Sequence, residues 1–287
     1  MSDRVYRAVN LVGRGVLRAL DVRVRVTGAG HLPTTGPVIL AANHASYPDF
    51  VLLERAAVDR GRHVRFLCRY DAWQVPGVGW FLDRMGHVPV DRAAPAAAYL
   101  HSRRLLHAGE AVGIFPEAGI SYSYAVRPLM RGVAALARET GATVVPVALW
   151  GGQRIWSVGV TPAGREPRPS LRRGRLVDVR LGPAMRVGGD DDLTAWTRTL
   201  GACLTAMLEE LQGLPEHRPA PGRHAPWHPH HLGGHAPDVA RARLLDDVPR
   251  CAVVPDWGPW VRRGPAPGPA ASARPPYDGP PAPGAAS

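Results

Sequence analysis

An imidazole and a carboxylate stand close together in Asn43-His44-Ala45-Ser46-Tyr47-Pro48-Asp49. Such a pair can take a proton from a hydroxyl: the histidine titrates near neutrality, and an aspartate on one ring nitrogen fixes the tautomer and stabilises the imidazolium. The blander reading is a loop histidine and an aspartate complementing a helix N-terminus. Two more segments carry reactive side chains. Gly86-His87-Val88-Pro89-Val90-Asp91-Arg92 ends in an arginine, whose paired N–H donors suit a phosphate, or else Asp91 or Asp83 as surface partner. Val112-Gly113-Ile114-Phe115-Pro116-Glu117-Ala118-Gly119-Ile120-Ser121 sets Glu117 just after an apolar run. A carboxylate there needs a partner, either a substrate hydroxyl or Arg92, unless it simply faces solvent. The Ala118-Gly119 turn lets a ligand approach the backbone.

These groups must be brought together by the elements around them. The apolar run 37–40 predicts a buried strand that delivers His44 to its C-terminal end, and Pro48-Asp49 opens a helix to about residue 59, folding the carboxylate back towards the ring. Further strands are expected at 22–26, 63–67, 87–90, 111–115, 143–150 and 177–181, with helices at 77–85, 94–107, 129–139 and 190–211. Pro146, inside the apolar run 143–149, predicts an edge strand or a bulge. Strands alternating with helices make an α/β fold, a largely parallel mixed sheet flanked by helices. Functional groups collect beyond the C-terminal strand ends of such sheets, where His44, Arg92 and Glu117 all fall.

Composition divides the chain. Residues 1–20 form an amphipathic basic helix, with Val5, Val9, Val12, Val16 and Leu20 on one stripe and arginines on the flanks. That stripe packs on its own domain or docks on a membrane surface. Residues 21–213 read as the catalytic domain. Seventeen of thirty prolines and six of twelve histidines lie in 214–287, so this tail is expected to be largely disordered. Within it, residues 238–247 predict a short helix, and Trp227, Trp257 and Trp260 are placed to dock on the domain or on lipid. His228, His230, His231 and His235 lack partners in fixed register, so no metal is expected.

All 35 basic residues are arginine, which excludes lysine chemistry, and the net charge is +11. That excess suits an anionic partner, a phospholipid surface or phosphorylated substrate before a nucleic acid, for which no binding motif is present. Cys68, Cys203 and Cys251 form no disulfide or metal pattern and fit a reducing, cytosolic setting. No apolar run reaches the eighteen residues or so a membrane helix needs, and no secretion signal is expected.

In this order the four blocks resemble the PlsC-type glycerolipid acyltransferases of bacteria, whose best known members are 1-acyl-glycerol-3-phosphate acyltransferases. Asn43, His44 and Asp49 match an N-H-x-x-x-x-D motif. Arg92 matches a second block ending in arginine, Phe115-Pro116-Glu117 with Ala118-Gly119 match F-P-E-G-T-R-S loosely, and Val145-Pro146-Val147 match a V-P-V strand. The resemblance, over roughly residues 20–215, implies a glycerol-3-phosphate acyltransferase-like fold. It implies transfer of a fatty acyl group from acyl-CoA or acyl carrier protein to a lysophospholipid hydroxyl, without a further cofactor, by an enzyme peripheral on the cytoplasmic face of the cell membrane. His44 is then the general base, Asp49 its orienting partner, and Arg92, Glu117 and Gly119 the head-group site. Ile120-Ser121-Tyr122 depart from the motif's arginine, so Arg127 or Arg131 is the candidate for that charge, and an acceptor other than glycerol phosphate stays open. A lipid-binding protein without turnover and a thioester hydrolase are the rival readings.

Overall fold

The computed structural model describes residues 3–92, 94–159 and 167–261. Helix α1 (Asp3–Ala19) precedes β1 (Arg23–Thr27), and β2 (Val38–Ala42) leads into α2 (Asp49–Val58). Then follow β3 (Val64–Arg69), α3 (Val78–Met85), β4 (Val88–Val90), α4 (Ala96–His107) and β5 (Ala111–Ile114). The order closes with α5 (Gly132–Thr140), β6 (Thr143–Trp150), β7 (Leu176–Leu181), α6 (Leu193–Gln212) and α7 (Val239–Leu245).

The strands form one sheet in the order β1-β7-β6-β2-β5-β3-β4. Every neighbouring pair is parallel except β6 with β7. Strand β2 is buried throughout, as a continuous apolar run between two parallel neighbours must be. Its odd and even side chains feed separate cores: Ile39 and Ala41 join α5 and α6 on one face, Val38 and Leu40 join α2 on the other. The α/β expectation therefore holds, with β1 and β7 the pair that makes the sheet mixed.

Strand β6 lies inside the sheet, so Pro146 marks no edge. Val147 pairs with Leu181 while Val144 bridges to Met185, which leaves one extra residue on the partner side, a bulge opposite the proline. The proline has no N–H for β7 there, but its carbonyl accepts from Gly182 N at 2.8 Å.

Helix α1 is anchored by Tyr6, 1% exposed, whose hydroxyl donates to Glu54 and meets Val64 N and O. Its stripe does not pack as a whole: Leu11, Val12 and Val16 are more than half exposed.

The expectation of a largely disordered tail fails over residues 214–261, and residues 262–287 lie outside the described residues. The segment runs back across the domain. Trp257 and Trp260 enter the α5–α6 core, and both indole N–H groups donate to Val126 O, at 3.1 and 2.7 Å. Gly201 on α6 gives the Trp257 ring its room, since a Cβ there would sit 2.7 Å from the indole. His217, fully buried, is 2.7 Å from Asp178 on β7. Proline-rich composition signals disorder only where too little apolar surface is buried to offset chain entropy, and two buried indoles reverse that balance.

Candidate active site

His44 lies two residues past the end of β2, and its ring stacks on Phe115, which follows β5, with centroids 4.2 Å apart. Asp49 is the first residue of α2, 1% exposed. Its Oδ2 is 3.0 Å from His44 Nδ1 and accepts from Ala45 N and Ser46 N, both at 2.8 Å, while Oδ1 accepts from the Ser46 hydroxyl. A carboxylate accepts, so Nδ1–H donates and Nε2 is left with a lone pair. The imidazole is thus fixed in the tautomer that a general base on a hydroxyl requires.

The loop is braced on the β6 side. The Asn43 amide donates to Leu149 O at 3.1 Å and accepts from Leu149 N at 2.7 Å, replacing a strand-to-strand pair where β2 ends. Ser157 Oγ donates to Ala45 O at 2.6 Å, and Tyr47 N to Trp156 O at 3.1 Å. Gly152 lies against the pair so closely that a Cβ would sit 2.3 Å from Ser46 Oγ and 3.1 Å from Asp49 Oδ1. Ser46, Gly152 and Ser157 escaped sequence reasoning: each matters only through contacts made by the fold.

Glu117 is not placed as a head-group ligand. It is 1% exposed, and its two oxygens accept from His44 N at 2.7 Å and Arg127 N at 2.8 Å. Both oxygens are thus engaged by backbone on either side of the turn, and the residue braces the His44 loop. Burial pushes its carboxyl up to about 8, against the pull of these N–H donors and of the Arg127 charge. Gly119 serves Arg127 in the same way: a Cβ there would stand 2.6 Å from Arg127 Nη1.

Arg127 itself is buried, donating to Ile120 O at 3.1 Å and Asp247 O at 2.9 Å, with Asp246 3.6 Å away. It holds the returning segment to the turn and offers no open donor set in the place of the absent motif arginine. Arg131 is exposed at the N-cap of α5. Arg92 fits its expected place better. Its side chain is 40% exposed, Nη2 donates to Ala118 O at 2.7 Å, and Nη1 meets the Asp247 carboxylate just beyond α7. Ala118, with φ 54°, holds its carbonyl there in a conformation that favours glycine. The described structure thus brings His44 and Asp49 together, puts Glu117 and Gly119 behind them, and leaves Arg92 open on the rim beside an acidic neighbour.

Among the described residues no group of three or more His, Cys, Asp or Glu is arranged to hold a metal, and the His224 and His235 rings lie against each other with centroids 4.6 Å apart. His228 packs against Trp150 instead.

Residues 23–150 match the acyltransferase family model. The chain is 28% identical over 141 residues to the chloroplastic 1-acyl-sn-glycerol-3-phosphate acyltransferase LPAT1 of Arabidopsis thaliana, covering 48% of this chain and 38% of that one. It is 29% identical over 133 residues to the lyso-ornithine lipid O-acyltransferase of Pseudomonas aeruginosa, covering 46% and 48%. The aligned chain therefore spans less than half the length of these curated relatives. In fold it is similar to the crystal structure of the 1-acyl-sn-glycerophosphate acyltransferase PlsC from Thermotoga maritima, with TM-score 0.58, 21% identity, and 72% of this chain and 80% of that one covered. The stretch that matches the acyltransferase family model, residues 23–150, holds His44, Asp49, Arg92, Glu117 and Gly119, and the chain shares the fold of the Thermotoga PlsC structure.

Proposed function

We propose that the chain moves a fatty acyl group from a thioester donor, acyl-CoA or acyl carrier protein, to the free hydroxyl of a lysophospholipid, with 1-acylglycerol-3-phosphate the first acceptor and phosphatidic acid its product. The observation that carries this reading is the His44–Asp49 pair, held in one tautomer by three hydrogen bonds to Asp49 Oδ2. His44 Nε2 takes the hydroxyl proton as the oxygen attacks the thioester carbonyl. The tetrahedral intermediate collapses with loss of thiolate, and the imidazolium returns the proton to sulfur. Asp49 stabilises the charged ring between the two steps. No acyl-enzyme and no cofactor beyond the donor are required.

The enzyme works at the cytoplasmic face of the cell membrane, bound peripherally. Leu11, Val12 and Val16 on α1 and Trp80 and Phe81 on the neighbouring α3 leave apolar side chains exposed beside arginines, which supports that placement. No helix among the described residues is long and apolar enough to cross a membrane.

The Asp247 carboxylate on Arg92 supports a second acceptor class, a lysolipid whose head group carries a positive charge beside its anion; the Pseudomonas relative is named for a lyso-ornithine lipid acceptor. Purified chain, labelled acyl-CoA or acyl carrier protein, and a panel of lysophosphatidic acid and amine-bearing lysolipids separate these. Esterified lysophosphatidic acid as the main product supports the first; ester formed only on amine-bearing lysolipids supports the second; free fatty acid alone contradicts both.

A further inference from the structure

The Asp49 carboxylate divides its charge between two sides. Oδ2 takes His44 Nδ1 at 3.0 Å with Ala45 N and Ser46 N at 2.8 Å, and Oδ1 takes the Ser46 hydroxyl. Ser46 and Asp49 stand three residues apart at the start of α2, a spacing that reads first as a capping box, in which the serine oxygen accepts from the helix N–H three residues on. The structure uses the hydroxyl otherwise. Asp49 N donates to the Ser46 carbonyl, 3.4 Å away, no side-chain hydrogen bond caps α2 at Pro48, and the hydroxyl proton goes to the carboxylate.

Ser46 is fully buried, and Gly152 closes the space over it, since a Cβ there would collide with Ser46 Oγ. The void left by removing one hydroxyl is too small for a water to take its place. Each donor on a carboxylate draws on the same negative charge, so the charge-assisted bond from Ser46 takes a share that would otherwise act on the imidazolium. That share matters to a base. An imidazole held too strongly in its charged form has no lone pair for the hydroxyl proton.

We propose that Ser46 is a positioning residue for acyl transfer: through Asp49 Oδ1 it limits how much of the carboxylate charge reaches His44, and so keeps Nε2 unprotonated where the enzyme works. This rests on the acyl-transfer reading above. Other charged or titratable groups also face the pair. From the turn after β5, Glu117 holds His44 N, its carboxyl pushed by burial up to about 8, with Arg127 on its other oxygen. Arg92 stands on the rim at Ala118, and Arg154 lies in the Gly152 turn over the Trp227 ring. Tyr47 belongs to the loop itself, and the buried Tyr124 is kept protonated by burial first and by the Asp49 charge as well. Ser46→Ala leaves all of these in place, so they enter both pH profiles alike.

The test is the pH profile of kcat/KM for wild type and Ser46→Ala, paired with an NMR titration of the His44 ring, which needs no substrate. In Ser46→Ala the acid limb and the ring titration both move to higher pH, by about 0.5–1 on the pH scale. Activity on that limb then falls by about three- to tenfold, while the plateau above it changes by less than about threefold. Ser46→Cys, whose thiol is a weak donor, moves the limb in the same direction by less. In an Asp49→Asn background Ser46→Ala moves nothing further, because the effect passes through the carboxylate. An unmoved limb overturns the proposal, whether activity is unchanged or falls evenly at every pH as for a helix cap. An equal shift in the Asp49→Asn background overturns it too. If Ser46→Ala does not fold, Ser46→Cys carries the test, and a limb at the wild-type position sinks the idea. A wild type that transfers no acyl group while the ring titration shifts as stated keeps Ser46 in this role and refutes the acyl-transfer reading; transfer with an unmoved ring titration refutes Ser46 alone.

Discussion

Asp49 Oδ2 gathers the His44 ring and two backbone N–H groups, and this residue decides whether Nε2 is a base. Asp49→Asn keeps the shape but removes the charge that holds the imidazolium. We predict that kcat falls by about 10²-fold or more while the acceptor KM changes little; equal kcat in the two proteins would remove Asp49 from the mechanism. Glu117 gives a pH signature of another kind. Its folded pKa, about 8, lies above the unfolded value of 4.5, so the stabilisation linked to its proton is full below pH 4.5 and lost as pH rises through 8. Against Glu117→Gln, which cannot ionise, urea midpoints of the wild type should therefore decline between pH 5 and 8; a difference that is flat or grows with pH contradicts this. His44 and Asp49 were legible in the sequence because a strand end, a short loop and a helix start join them locally. Glu117 was legible as a buried carboxylate, but its donors, His44 N and Arg127 N, are set by tertiary packing, and the motif points to substrate instead.

At the scale of elements, the site is held where β2, β5 and β6 end together, and the turn after β6 matters as much as the strands. Gly152→Ala places a methyl against Ser46 Oγ and Asp49 Oδ1. The expected cost is about 1–3 kcal/mol of stability, with a larger loss of activity than of fold, read by paired denaturation and transfer assays; full activity would show that the loop yields freely. The end of α7 offers a second test. Asp247→Asn removes an exposed carboxylate from Arg92, and such a surface pair contributes little to stability, so the fold is unchanged. The KM for an anionic lysolipid should drop by roughly two- to fivefold, and an unchanged or higher KM removes Asp247 from the acceptor subsite. The elements of residues 22–211 were legible because apolar runs and turn residues mark them within a few positions. The bulge opposite Pro146 was half legible, since proline announces a missing donor but not which neighbour does without it.

Taken as a whole, the molecule is an α/β domain wrapped by its own returning segment. Composition hid that segment: many prolines and histidines outweigh a few tryptophans in any average, while the fold depends on where the indoles land. Trp257→Ala empties a site in the α5–α6 core and forfeits the bond to Val126, with an expected loss of about 3–5 kcal/mol in chemical denaturation; a loss below about 1 kcal/mol would make the segment an ornament of the fold. The measurement closest to the central claim is transfer of a labelled acyl group by the full chain to lysolipid in vesicles, wild type beside His44→Ala, with circular dichroism on both. The account predicts ester product from the wild type and a loss of about 10²-fold or more in His44→Ala with its spectrum unchanged; a His44→Ala protein that forms ester as fast as the wild type would contradict it.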